Sequence, residues 1–218
     1  MQNSKSISIP YIPELDNMNL AEVQNYLNDH GQRFTIESLN WAKDYPYHPL
    51  TVCAIAHSGK EIFIEFFVRC NYLRAMNYTN NSPVCEDSCV EFFIAPKCDA
   101  RYWNFEFNCI GTINASNRTE RHNPTRLTDS ELARIRRYAS CGTRPFQEVE
   151  GLFTWSLIIA IPLDLIGVEY NGDQVAMKGN FYKCASGSSQ PHFLSWAPID
   201  TPAPDFHRPE FFGDIILA

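Results

Sequence analysis

Residues 87–111, DSCVEFFIAPKCDARYWNFEFNCIG, constrain the fold more than any other part of this chain. Two stretches in it alternate with a period of two, and a short polar connection, KCDAR, joins them. In the first, Val90, Phe92 and Ile94 point one way while Cys89, Glu91 and Phe93 point the other. In the second, Trp103, Phe105, Phe107 and Cys109 share one face, and Asn104, Glu106 and Asn108 share the opposite one. Successive side chains on a strand project to opposite sides, so the pattern predicts paired strands with a dry face and a polar face. The polar face is unusual in kind. Carboxylates and amides are depleted in strands, and Glu91, Asn104, Glu106 and Asn108 offer donors and acceptors with no positive charge. A solvated sheet surface is one reading of that face; a surface for a polyhydroxylated ligand is the other.

The flanking sequence extends the same architecture. Residues 1–18, with Pro10 and Pro13, read as an irregular arm. Asn19 caps a helix over 20–30 that carries Leu20, Val23 and Leu27 on one face and stops at Gly31. RFTIESLN (33–40) is a candidate strand, and LTVCAIAHS with EIFIEFFVR reads as a hairpin about Ser58-Gly59-Lys60. Residues 70–86 read as a long connection and TINASNRTERHNP as a polar stretch. Thr128-Asp129-Ser130-Glu131 has the spacing of a capping box for a helix near 129–140. LFTWSLIIAIP, DQVAMKGNFYKCA, PHFLSWAP and GDIILA complete the strands. About eight strands with marginal helices and no βαβ alternation predict an all-β, antiparallel β-sandwich of jelly-roll type, with short peripheral helices. No repeat, linker or break in composition divides residues 1–218, so one domain is expected.

Charge and cysteine usage narrow the function. A net charge of −7 opposes a nucleic-acid groove, and no apolar run reaches membrane-spanning length. The opening MQNSKSISIPYIPELD has no apolar h-region. A cytoplasmic chain with its eight cysteines reduced is therefore expected, or a periplasmic or secreted one if a leader has been removed. Nothing forms a nucleophile elbow, a P-loop or a dinucleotide fingerprint.

DSCVEFF, YWNFEFN and the terminal SW–P–PDFHRPEFFG, in that order, resemble the family 9 carbohydrate-binding modules, and the stand-alone bacterial members most closely. The resemblance runs from about Trp41 onward. It implies a non-catalytic β-sandwich that binds a mono- or disaccharide of glucose or xylose type and is linked to polysaccharide breakdown by enzymes such as xylanases. Carried over residue by residue, it places a sugar-hydroxyl ligand on Glu91 and the polar positions of the next strand on Asn104, Glu106 and Asn108. Better-known members carry an arginine on that strand where this chain has Glu106. Of the family's two clamping tryptophans, one falls on Cys85, and the nearest match to the other is Phe206. His207 and Arg208 share the Phe206 loop and are candidate donors. Trp41, Tyr45 and Tyr47 are aromatic rings that could replace the missing wall. The resemblance also allows structural calcium, for which Asp99, Asp200 and Asp205 are loop carboxylates, although no EF-hand spacing is present; no other cofactor is expected.

Three other readings compete. A degenerate module could serve as a protein-interaction scaffold. A glycoside hydrolase could use Glu91 and Glu106, since retaining enzymes hold two carboxyl groups about 5 Å apart. Cys85, Cys89 and Cys98 give Cys-x3-Cys with a third thiol, but without the tight repeat of a structural zinc motif, so no metal site is expected. The oligomeric state is not legible.

Overall fold

The computed structural model describes residues 5–96 and 101–218. Its strands, numbered in chain order, form two sheets. The larger contains β1 (Ser6–Ile9), β5 (Cys89–Ala95), β6 (Tyr102–Asn108), β7 (Ile113–Arg118), β8 (Thr125–Arg126), β11 (Val175–Cys184), β12 (Phe193–Ser195) and β13 (Gly213–Leu217). Its order is β1-β13-β11-β5-β6-β7-β8, with β12 also paired to β11. The smaller contains β2 (Gln32–Thr35), β3 (Leu50–His57), β4 (Glu61–Ala75), β9 (Arg136–Ala139) and β10 (Phe146–Pro162), in the order β2-β3-β4-β10-β9.

The dry faces meet as expected. Val90, Phe92, Ile94, Phe105 and Phe107 of the larger sheet pack against Ile62, Ile64, Phe66, Trp155 and Leu157 of the smaller, and all are buried. Each such burial stabilises the fold by about 2 kcal/mol. Phe92 stacks on Phe181 of β11 at 4.8 Å, which fixes β5 against its neighbour. The β3–β4 hairpin turns at Gly59, whose φ of +87° suits glycine.

Helix α1 (Leu20–His30) begins with the expected capping box between Asn19 and Glu22. It lays Val23 and Leu27 on the outer face of the smaller sheet, against Ala54, Ala56, Phe63, Ile158 and Ala160. The alanines leave room for the helix backbone to come close.

Several expectations change. The helix near 129–140 ends early: α2 spans Asp129–Arg134, and residues 136–139 become edge strand β9 on β10. The hydrogen-bonding edge of long strand β10 needs a partner there, and Ile135 turns into the core. Part of the expected irregular arm is β1, which runs parallel to β13 with Ile7 and Ile9 buried. The expected connection after residue 70 is largely strand, because β4 pairs with β10 as far as Ala75. The polar stretch after Gly111 contributes β7, paired along its length with β6. The first candidate strand is shorter than expected: β2 ends at Thr35.

A roofed hollow on the larger sheet as the candidate functional site

The polar faces of β5 and β6 lie on the outer side of the larger sheet. They are not open to bulk water: Glu91, Asn104, Glu106 and Asn108 are all buried. Register places Glu91 opposite Glu106, with Tyr182 of β11 beyond Glu91 and Asn114 of β7 beyond Glu106. One row across four strands therefore carries a phenol, two carboxyl groups and an amide.

Glu106 is held from within the sheet. Its Oε1 accepts from Asn104 Nδ2 at 2.9 Å and its Oε2 from Asn114 Nδ2 at 3.0 Å. Asn104 Oδ1 in turn accepts from Arg118 Nε at 2.7 Å, so β7 orients the amide that orients the carboxylate. Glu91 is held by thiols: its Oε1 accepts from Cys184 Sγ at 3.1 Å and lies 3.9 Å from Cys89 Sγ. Burial, followed by the neighbouring Glu106 carboxyl, pushes Glu91 well above the usual carboxylate range. Burial also raises Glu106, opposed by its two amide donors and Arg118. A protonated Glu91 beside an amide-held Glu106 offers one hydroxyl donor and one acceptor side by side.

Two loops roof this row. Trp41 is buried and donates from Nε1 to Thr201 O at 2.8 Å, tying the first loop to the second. Phe206 stacks on Tyr182 at 4.2 Å and 11°, and the Tyr182 hydroxyl donates to Phe206 O at 3.1 Å. His207 Nδ1 lies 3.0 Å from the Tyr102 hydroxyl. Burial and the nearby arginines depress its pKa to about 3, so the ring is neutral. The roof leaves a hollow of ≈ 370 Å³. Glu91, Glu106 and Cys184 floor it, Tyr45, Phe193 and Phe206 supply aromatic walls, and exposed Arg121 and Ser186 lie at its rim.

The sequence candidates divide by position. Cys85, Glu91, Glu106, Phe206 and His207 line the hollow. Asn104 acts one step back, through Glu106. Asn108 shares that face but lies outside the hollow: its Nδ2 donates to Asn77 O and Asp87 Oδ2, and its Oδ1 accepts from Thr112 N, which braces the turn after β6. Arg208 pairs with Glu210 at 2.6 Å outside the hollow. Tyr45 supplies a wall, edge-on to Phe193 at 4.8 Å. Trp41 lies behind Phe206, and the Tyr47 hydroxyl accepts from Asn71 N. Asp205 pairs with Arg121 at 3.1 Å and Asp200 is exposed. Asp99 and Cys98 fall outside the described residues; of the thiol trio, Cys85 lines the hollow and Cys89 is buried on β5. The seven described cysteines are free thiols.

Reasoning from the sequence missed Cys184 and Tyr182, although the alternation of NFYKC in β11 puts both on one face with Asn180. It also missed Asn114 and Arg118, because the segment that carries them did not read as a strand. The Asp87-Ser88 half of the β5 motif proves structural: Asp87 accepts from Met76 N and Asn77 N, and Ser88 Oγ accepts from Arg74 N. Together they tie the start of β5 to the end of β4.

The structure is thus a two-sheet sandwich with a polar hollow beneath aromatic side chains. The carbohydrate-binding family 9 model matches residues 22–217, and the chain belongs to that family. A protein from Bacteroides uniformis ATCC 8492, provisionally described as carbohydrate-binding, is 35% identical, with 99% of this chain and 100% of that one covered and a TM-score of 0.94. A family 9 carbohydrate-binding module from Caldicellulosiruptor kristjanssonii, solved with glucose, is 15% identical over 98% of this chain and 96% of its own, with a TM-score of 0.61. A second structure of such a module from that organism, solved with cellotriose, has 14% identity, coverage of 98% and 93%, and a TM-score of 0.57. At those identities the two Caldicellulosiruptor structures share the fold with this chain. A search of curated proteins found no match.

Proposed function

We propose that the hollow binds a mono- or disaccharide of glucose or xylose type without chemical change, in the service of polysaccharide breakdown. One observation carries the reading: two buried carboxyl groups stand side by side on the floor of a ≈ 370 Å³ hollow whose walls are aromatic. A pyranose presents an apolar C–H face and a rim of hydroxyls, and those two surfaces call for an aromatic wall and convergent donors and acceptors. The volume lies toward the small end of the about 300–1,000 Å³ range of small-molecule sites, which suits one or two sugar rings. Each hydroxyl contact nets about 1 kcal/mol, so affinity depends on the floor and the wall acting together.

Calorimetric titration with glucose, cellobiose and xylobiose tests this. Heat is expected with at least one of them, and it is expected to disappear in Glu106→Gln, which places an amide nitrogen where an acceptor is needed. Silence across the panel would favour the scaffold reading. The opposed carboxyls also support a second reading, hydrolysis with Glu91 as acid and Glu106 as nucleophile. Turnover of chromogenic glycosides by the wild type, lost in Glu106→Gln, would replace binding with catalysis.

A further inference from the structure

The floor of the hollow holds a cluster that saccharide binding leaves unused. Cys89 on β5 and Cys184 on β11 are directly opposed in the ladder, and Glu91 lies on the same face as Cys89. The two Sγ atoms and a Glu91 carboxylate oxygen all lie within 4.8 Å of one another. Cys184 Sγ is 3.1 Å and Cys89 Sγ 3.9 Å from Glu91 Oε1. A tetrahedral zinc ion with sulfur at about 2.3 Å and oxygen at about 2.0 Å sets those atoms about 3.5 Å apart. The two observed sulfur–oxygen separations straddle that value, so they reach it with adjustments of a few tenths of an ångström, and the two sulfurs lie within 4.8 Å of each other.

Three further observations support a site. All three side chains are buried and project from paired strands, which fixes their directions. Cys184 and Glu91 face the hollow, giving an ion a path of entry and leaving a coordination position open toward it. The two carboxyl groups sit side by side, while the nearby Arg118 guanidinium donates to Asn104 Oδ1 rather than to either of them. A cation at Glu91 would relieve that pairing. The sequence gives no sign of the set, because Cys184 comes from a strand far along the chain.

We propose that Cys89, Cys184 and Glu91 form a zinc(II) site at the floor of the hollow, with two thiolates, one carboxylate and a fourth position open to the hollow. Binding displaces the thiol protons and any proton on Glu91, which leave through the hollow. The proposal shares Glu91 with the saccharide reading but does not rest on it, since zinc is measured without sugar.

The test uses the full chain, reduced and stripped of metal. Zinc is titrated against a chromogenic chelator, and cobalt(II) is added separately as a spectroscopic probe. One equivalent of zinc per chain is expected, and cobalt is expected to give thiolate charge-transfer absorption with the intense visible bands of a tetrahedral ion. Cys184→Ser is expected to weaken zinc at least tenfold and diminish the charge-transfer band, while Cys53→Ser, a buried thiol of the smaller sheet, changes neither. No zinc retained by the wild type, or retention indifferent to Cys184→Ser, would overturn the proposal. If Cys184→Ser does not fold, the wild type decides: zinc is expected to protect Cys184 from alkylation, and unchanged labelling would contradict the site.

Discussion

Both sheets bury a carboxylate on their outer face and answer it with two side-chain amides, but the amides come from opposite directions. On the smaller sheet, Glu65 accepts from Gln24 at 2.9 Å and Asn28 at 2.8 Å, one turn apart on α1. That helix lies over the strand, so the protein itself occupies the space a ligand would need. A groove of ≈ 470 Å³ beside it is lined by the apolar Leu50, Val52, Ala54 and Phe67 together with Gln24, Asn28, Arg33 and Glu65, so the helix's own amides sit in it. On the larger sheet, Glu106 takes its amides from Asn104 and Asn114, both within the sheet. The space above stays free, and Glu91 stands beside it. A carboxylate gripped from above is a fastening; one gripped from below is presented.

Truncating the two roofs gives the largest expected contrast. Leu27→Ala under α1 is expected to cost about 3 kcal/mol of stability in denaturant titrations, from lost burial and the cavity left, and to leave saccharide affinity unchanged. Phe206→Ala is expected to cost a comparable amount and to abolish measurable sugar binding, because the same ring is both lid and wall. Equal losses of affinity in both variants would erase the distinction between the faces.

A smaller effect separates the carboxylates. Glu65→Ala removes the acceptor that Gln24 and Asn28 share, while Gln24 keeps Ser156 Oγ and Asn28 keeps Gln24 O; it is expected to cost about 1 kcal/mol, again with sugar affinity intact. Calorimetry on the folded variant checks the second half.

Proton linkage sharpens the contrast further. Burial raises Glu91 above the ordinary carboxylate range, so the folded chain holds a proton that the unfolded chain has released. Stability therefore falls as pH rises from the ordinary carboxylate range toward the raised folded value, and below that range the contribution vanishes. Glu91→Gln removes it. In the metal-free chain the variant is expected to melt above the wild type at pH 8 and to match it near pH 4; a metal-free wild type of higher Tm at pH 8 would show that Glu91 is stabilised as the anion. The smallest effect is expected from Arg208→Ala, whose exposed pairing with Glu210 lies outside the hollow: denaturation midpoint and affinity should both stay within error of the wild type.

Alternation in residues 87–111 was enough to read the dry face and the row that carries Glu91 and Glu106, and about eight strands along the chain without βαβ alternation predicted the sandwich. It could not show that the polar face is roofed. That depends on Phe206 meeting Tyr182 and on Trp41 meeting Thr201, contacts between segments separated along the chain that carry no periodic signature. Asn108 shares the alternation of Asn104 and Glu106 yet braces a turn, because two residues further along the strand the amide reaches the buried Asp87 carboxylate. Residues 136–139 carried helical spacing but joined the edge of β10, where the ladder of a long neighbouring strand outweighed local preference.

The most direct test of the account is a structure of the chain saturated with cellobiose. One glucose ring is expected in the hollow, its hydroxyls within hydrogen-bond reach of Glu91 and Glu106 and its C–H face against Phe206, with the groove beside Glu65 unoccupied. Sugar bound at α1, or a hollow without sugar at saturating ligand, would contradict it.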